Sequence, residues 1–164
     1  MLTYKIHLLR HGITRANLEG KYVGLTDYPL CQEGIDALKE FCKGKDYPPV
    51  EKIYSSPLRR CRETAKIIYP GYKLFDVPQL MEMDFGTYEG KTLYELQDDE
   101  TFIAWSCDSM HNAPPEGEDG MAFIRRVIKG LDDVFQDMMA NDIHNAALVI
   151  PGGMRSEERR VGKE

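Results

Sequence analysis

Apolar and polar side chains alternate from Tyr4 to Leu8. Tyr4, Ile6 and Leu8 fall on one side, Lys5 and His7 on the other, and Leu9 follows. This period of two predicts a buried strand that ends at Arg10-His11-Gly12, with His7 as a sheet histidine on the opposite face. Residues 13–32 show no period and are rich in Gly, Asn, Asp, Pro and Thr, which predicts a loop. From Glu33 to Lys43 the apolar positions Ile35, Leu38, Phe41 and Cys42 take helical spacing, and Pro48-Pro49 breaks the chain. Glu51 to Ser55 reads as a second strand. A helix follows, with Ser56 as its N-cap, Pro57 at its first position and Leu58, Cys61, Ala65 and Ile68 on its apolar face. Pro70-Gly71 ends it.

Tyr72 to Phe75 is compatible with an edge strand, and residues 76–91 read mostly as loop. Short helices are expected over 92–98 and 99–107, then a loop or lid over 112–120, which holds Pro114-Pro115 and two glycines. The strongest helical signal runs from Asp119 to Met139, with Ile124, Val127, Ile128, Leu131, Val134, Phe135 and Met138 at three- and four-residue intervals. Ala146 to Ile150 is an apolar strand stopped by Pro151-Gly152-Gly153. Strands alternating with helices predict an α/β fold, a three-layer αβα sandwich with a mostly parallel central sheet. Ligand sites in such sheets form beyond the carboxyl ends of the strands. Those ends are Arg10-His11-Gly12, Ser55-Ser56-Pro57 and Pro151-Gly152-Gly153.

With 164 residues the chain suits one domain, expected over residues 1–154. The net charge of -6 argues against nucleic acid or an anionic membrane as partner, so an anion must be met by a local concentration of cationic groups. The four cysteines form no CxxC pair and the four histidines no HxH spacing, so neither a disulfide framework, a metal site nor a cofactor is expected. No run approaches a membrane span, and the first strand starts too early to leave room for a signal peptide, so the expected location is cytoplasmic. Residues 155–164 are almost all charged, with Val161 as the one apolar side chain. They cannot form a buried face, they look like translated sequencing adapter, and they are expected to be a non-native or disordered tail.

The chemistry lies at the strand ends. A phosphate monoester carries nearly two negative charges at neutral pH, which a nucleophile must first have screened. Arginine clasps two oxygens and stays charged, while neutral imidazole is a good nitrogen nucleophile. Arg10 beside His11 therefore offers clamp and attacker, and Gly12 lets backbone approach closely. Ser56-Pro57-Leu58-Arg59-Arg60 adds basic side chains at the start of a helix, where free N–H groups already favour an anion.

These residues resemble the histidine phosphatase superfamily, also called phosphoglycerate mutase-like. The likeness is carried by Leu9 to Asn17, Tyr22 to Asp27 with Pro29, Leu30 and Gly34, Tyr54 to Ala65, and Leu80 to Gly90. Weaker echoes stand at Pro115-Glu116-Gly117-Glu118 and from Ala147 to Gly153. The resemblance implies His11 as the residue phosphorylated in the intermediate, Arg10 and Arg60 as ligands of the phosphoryl oxygens, and Glu82 as the acid for the leaving group. It implies Thr14, Asn17, Val23 and Gly24 as the lining of the phosphate and substrate pocket, with Gly152 at the last strand end. The expected partner is a small phosphorylated metabolite, with a homodimer also in view.

The chain departs from the family at one informative place. The family carries a second histidine directly before the Gly-Gly pair, and here that position is Pro151, which has no side-chain donor and no N–H. The elements that pack after Gly-Gly in the family are also expected to be missing. Three readings follow: a phosphomonoester hydrolase, a phosphoglycerate mutase, or an anion-binding module that has lost turnover. The compact stretch between Glu82 and the last strand favours hydrolysis.

Overall fold

The computed structural model describes residues 3–44 and 47–152. Four strands, β1 (Lys5–Arg10), β2 (Lys52–Ser55), β3 (Leu74–Asp76) and β4 (Asn145–Ile150), form one sheet in the order β1-β4-β2-β3. All three pairings are parallel. The last strand in sequence thus inserts between the first two, and the carboxyl ends of β1, β4 and β2 lie side by side.

The helices are α1 (Arg15–Leu18), α2 (Gln32–Cys42), α3 (Arg59–Ile68), α4 (Leu93–Leu96), α5 (Glu100–Cys107) and α6 (Gly120–Ala140). Alternation along β4 explains the layering. Ala147 and Val149 pack with Ile53, Leu58, Cys61 and Ala65 on the α3 face, while Ala146, Leu148 and Ile150 pack with Tyr54, Val134 and Met138 on the α6 face. A sheet covered on both faces needs apolar residues at consecutive positions, and β4 supplies them. A third cluster, Tyr88, Leu96, Phe102 and Trp105 with Tyr22, Met83 and Phe85 against it, underlies the loops that carry Gly24 and Glu82.

Several local expectations are corrected. β1 is an edge strand, not a buried one, and Leu8 is 57% exposed. The 13–32 stretch is not all loop: Thr14 and Asn17 cap each other's backbone N–H groups and nucleate the single turn of α1. Ser56 is not the cap of α3, which starts at Arg59, and its hydroxyl lies 3.5 Å from the Leu58 N–H. The first free N–H of α3, that of Arg59, is met instead by Asp27 Oδ1 at 2.6 Å from a distant loop. The 112–120 loop is tied down through Thr87 N–H to the Pro115 carbonyl and Glu118 N–H to that of Asp84.

The buried face of α6 is narrower than the one the spacing suggests: Val127, Leu131, Val134 and Met138 do pack in the core beside the sheet. Phe123, Gly130, Val134 and Met138 are buried, whereas Ile128 is 60% and Phe135 44% exposed. Both sets satisfy helical spacing, so periodicity alone does not choose between them. Met138→Ala should cost about 2–5 kcal/mol in urea unfolding, and Ile128→Ala should stay within about 0.5 kcal/mol. Equal losses at the two positions would contradict this face assignment.

Candidate active site

His11 leaves the end of β1 with its N–H on the Ile150 carbonyl of β4, which places it at the junction of the two strands. Its ring is buried, and Nδ1 lies 2.5 Å from the Gly12 carbonyl oxygen. A carbonyl only accepts, so Nδ1 carries the proton and the Nε2 lone pair is free. Burial, foremost, pushes the imidazole down to about 4, and the charges of Arg60 and then Arg10 push the same way, against the pull of the Gly12 carbonyl. The ring is therefore a neutral nitrogen base at physiological pH. The Gly12 N–H donates to Thr64 Oγ1, whose hydroxyl donates to the Arg60 carbonyl, so the first strand end is tied to α3.

Arg60 is buried with 1% of its surface exposed. Its Nη1 donates to the Thr26 carbonyl at 3.1 Å and its Nη2 to the Gly24 carbonyl at 2.8 Å. Its Nε is buried with no acceptor among the described residues. A buried guanidinium whose hydrogen bonds go to neutral carbonyls has those bonds satisfied without a countercharge, which leaves its charge for an anion. Arg10 is exposed, and its guanidinium lies along Gly152, where a Cβ would come within 2.8 Å of Nε and Nη2. Glycine at 152 leaves room for this arginine at the end of β4.

Glu82 is buried at 4% exposure, with Oε1 accepting from the Met83 N–H at 3.0 Å. It shares a neighbourhood with Arg60: both charges act on the Cys61 thiol, which burial pushes up to about 12. Thr14 is buried, and its hydroxyl donates to Asn17 Oδ1 at 2.9 Å. Asn17 itself is exposed and Val23 half-buried. Gly24 is required sterically, because a Cβ there would lie 2.0 Å from the Met83 carbonyl oxygen and 2.3 Å from Glu89 Oε1.

The structure thus gathers His11, Arg10, Arg60 and Gly152 at the ends of β1 and β4 and the start of α3. Thr14 and Asn17 form the capping pair at the start of α1. Sequence reasoning missed Glu89, whose carboxylate accepts from the Gly24 and Leu25 N–H groups and from the Thr26 hydroxyl. It fixes the loop whose carbonyls hold Arg60. Glu63 was missed as well, and it accepts from the Leu30 N–H at 2.8 Å. Among the described residues no group of three or more His, Cys, Asp or Glu is placed to hold a metal ion, and no helix is long and apolar enough to cross a membrane.

The site thus holds a neutral imidazole near two guanidinium groups, with a buried carboxyl nearby. The chain belongs to the histidine phosphatase superfamily (branch 1), whose model matches residues 6–154. It is 34% identical over 139 residues to the adenosylcobalamin/alpha-ribazole phosphatase of Salmonella typhimurium, covering 81% of this chain and 69% of that protein. It is 32% identical over 126 residues to a 2,3-bisphosphoglycerate-dependent phosphoglycerate mutase of Bifidobacterium longum, covering 70% of this chain and 50% of the mutase. The alpha-ribazole phosphatase of Shigella flexneri superposes with a TM-score of 0.83 at 29% identity, covering 97% of this chain and 80% of that one.

The depressed imidazole has a consequence for stability. The unfolded ring takes up its proton near 6.5 and the folded ring near 4, so the unfolded state binds the proton first. Stability that is present above pH 6.5 is lost as pH falls towards 4. Urea unfolding at pH 7 and pH 5 should show the wild type losing about 2 kcal/mol more than His11→Asn. Identical losses would mean the ring is not buried in its neutral form.

Proposed function

We propose that this chain hydrolyses small phosphomonoesters in two steps, with a phosphohistidine formed at His11. The observation that carries the reading is the Nδ1–Gly12 hydrogen bond, which leaves Nε2 as a neutral nucleophile beside two guanidinium groups. The phosphoryl oxygens sit between Arg10 and Arg60, where their charge is screened without a metal. Nε2 forms the bond to phosphorus as the bond to the ester oxygen breaks, and the Glu82 carboxyl gives its proton to that departing oxygen. Water then attacks the phosphohistidine, Glu82 takes the water's proton, the nitrogen–phosphorus bond breaks and inorganic phosphate leaves. Thr14, Asn17, Val23 and Gly24 border the substrate side.

Pro151 offers no donor at the end of β4. Arg10 lies across Gly152 at that same end, and we assign it the oxygen that a histidine at 151 would hold. A proline here therefore lowers the rate without removing the path. Hydrolysis rather than mutase chemistry is supported by the more extensive match to the phosphatase, 81% of this chain and 69% of that protein, against 70% and 50% for the mutase. The substrate to test first is an alpha-ribazole phosphate.

The test is direct. Phosphomonoester hydrolysis should persist in EDTA, be abolished in His11→Ala, and leave acid-labile radiolabelled phosphate on residue 11 after rapid quench. Label on a serine or aspartate, or full activity in His11→Ala, would defeat the proposal.

A further inference from the structure

Glu82 sits in a stretch with little regular structure to hold it. A 3₁₀ turn ends at Leu80 and the next begins at Gly86. Something outside the stretch must therefore fix a carboxyl that has to meet a departing oxygen within hydrogen-bond reach.

Arg126 of α6 is the group that does so. Its Nη1 donates to the carbonyls of Gln79 at 2.7 Å and Met81 at 3.0 Å, and its Nη2 to that of Glu82 at 3.1 Å. Three backbone acceptors of the Glu82 stretch thus converge on one guanidinium. The same guanidinium is ion-paired with Glu118, and both side chains are mostly buried. Glu118 then grips the other side of Glu82: its Oε1 accepts from the Asp84 N–H, and its own N–H donates to the Asp84 carbonyl, each at 3.1 Å. Gly117 permits this approach, since a Cβ there would lie 2.5 Å from the Asp84 carbonyl oxygen. Residues 79–84 are held before and after Glu82 by one charge pair. The pair also lines a hollow of about 310 Å³ together with Leu25, Met81 and Asp84, at the border between the Arg60-bound loop and the Glu82 stretch.

We propose that Arg126 and Glu118 are positioning residues that aim Glu82 at the leaving-group oxygen, so that their loss impairs proton delivery to the departing alcohol and leaves phosphoryl binding intact. This rests on the assignment of Glu82 as the acid in the hydrolysis above. An arginine that merely stabilised the fold would affect all substrates alike. One that aims the acid matters only where the leaving group needs a proton. An alkoxide needs one to depart, while p-nitrophenolate leaves largely unaided.

The experiment compares kcat/KM for p-nitrophenyl phosphate and for glycerol 2-phosphate in the wild type, Arg126→Met and Glu118→Gln, with a thermal melt of each protein. The ratio of aryl to alkyl kcat/KM should rise roughly tenfold or more in Arg126→Met, within the range general acid catalysis supplies. It should rise less in Glu118→Gln, which keeps an acceptor for the Asp84 N–H and removes the countercharge. Should Arg126→Met fail to fold, the same ratio in Glu118→Gln decides. An unchanged ratio, or equal loss on both substrates, overturns the inference. His11→Ala run in parallel separates the two claims: residual turnover there would sink the phosphohistidine reading, whereas an inactive His11→Ala with an unchanged ratio would sink only the role of Arg126 and Glu118.

Discussion

A guanidinium taken almost wholly out of water is the constraint around which this site is built. Burying a charge is costly unless its donors are met. For Arg60 the two Nη groups are met by backbone carbonyls of the 24–26 loop, while Nε has no acceptor among the described residues. Neutral acceptors satisfy hydrogen bonds without cancelling charge, so positive potential remains for a phosphoryl group in a protein whose net charge is -6. The loop must then be fixed in its turn. Glu89 holds its N–H groups, Asp27 anchors it to the start of α3, and Gly24 lets it pass against Met83 and Phe85. The aromatic cluster of Tyr88, Phe102 and Trp105 gives that assembly a rigid base.

The same charge adds to what burial does to His11. Burial makes the imidazolium expensive, and Arg60 and Arg10 make it more so. The Gly12 carbonyl selects the tautomer with the proton on Nδ1. In the proposed reaction clamp and nucleophile are thus coupled: the cations that would bind phosphate also help burial to keep the His11 nitrogen unprotonated. Anion binding and nucleophile activation follow from one arrangement of charges.

Much of this was legible in the sequence, for identifiable reasons. The α/β alternation, the four strands and the convergence of three strand ends follow from short apolar runs cut by Gly and Pro. Arg10, His11 and Arg60 stand at those ends. What the sequence hid depends on partners far along the chain. Glu89 reaches Gly24 across 65 positions and Thr64 reaches Gly12 across 52, and neither pairing leaves a local pattern. The start of α3 was misplaced because its cap, Asp27, comes from another loop and not from the adjacent Ser56. The face of α6 was drawn too wide because Ile128 and Phe135 repeat as well as Val134 and Met138, and only the docked sheet distinguishes them. β1 read as buried because its apolar content is that of an interior strand, although it lies at the edge of the sheet.

The central claim is that nitrogen, and not water, makes the first bond to phosphorus. The stereochemical course at phosphorus tests it most directly, using a phosphomonoester made chiral with oxygen isotopes and sulfur. Two successive in-line displacements, first by Nε2 of His11 and then by water, predict overall retention of configuration. Inversion would mean a single direct attack by water and would contradict the account.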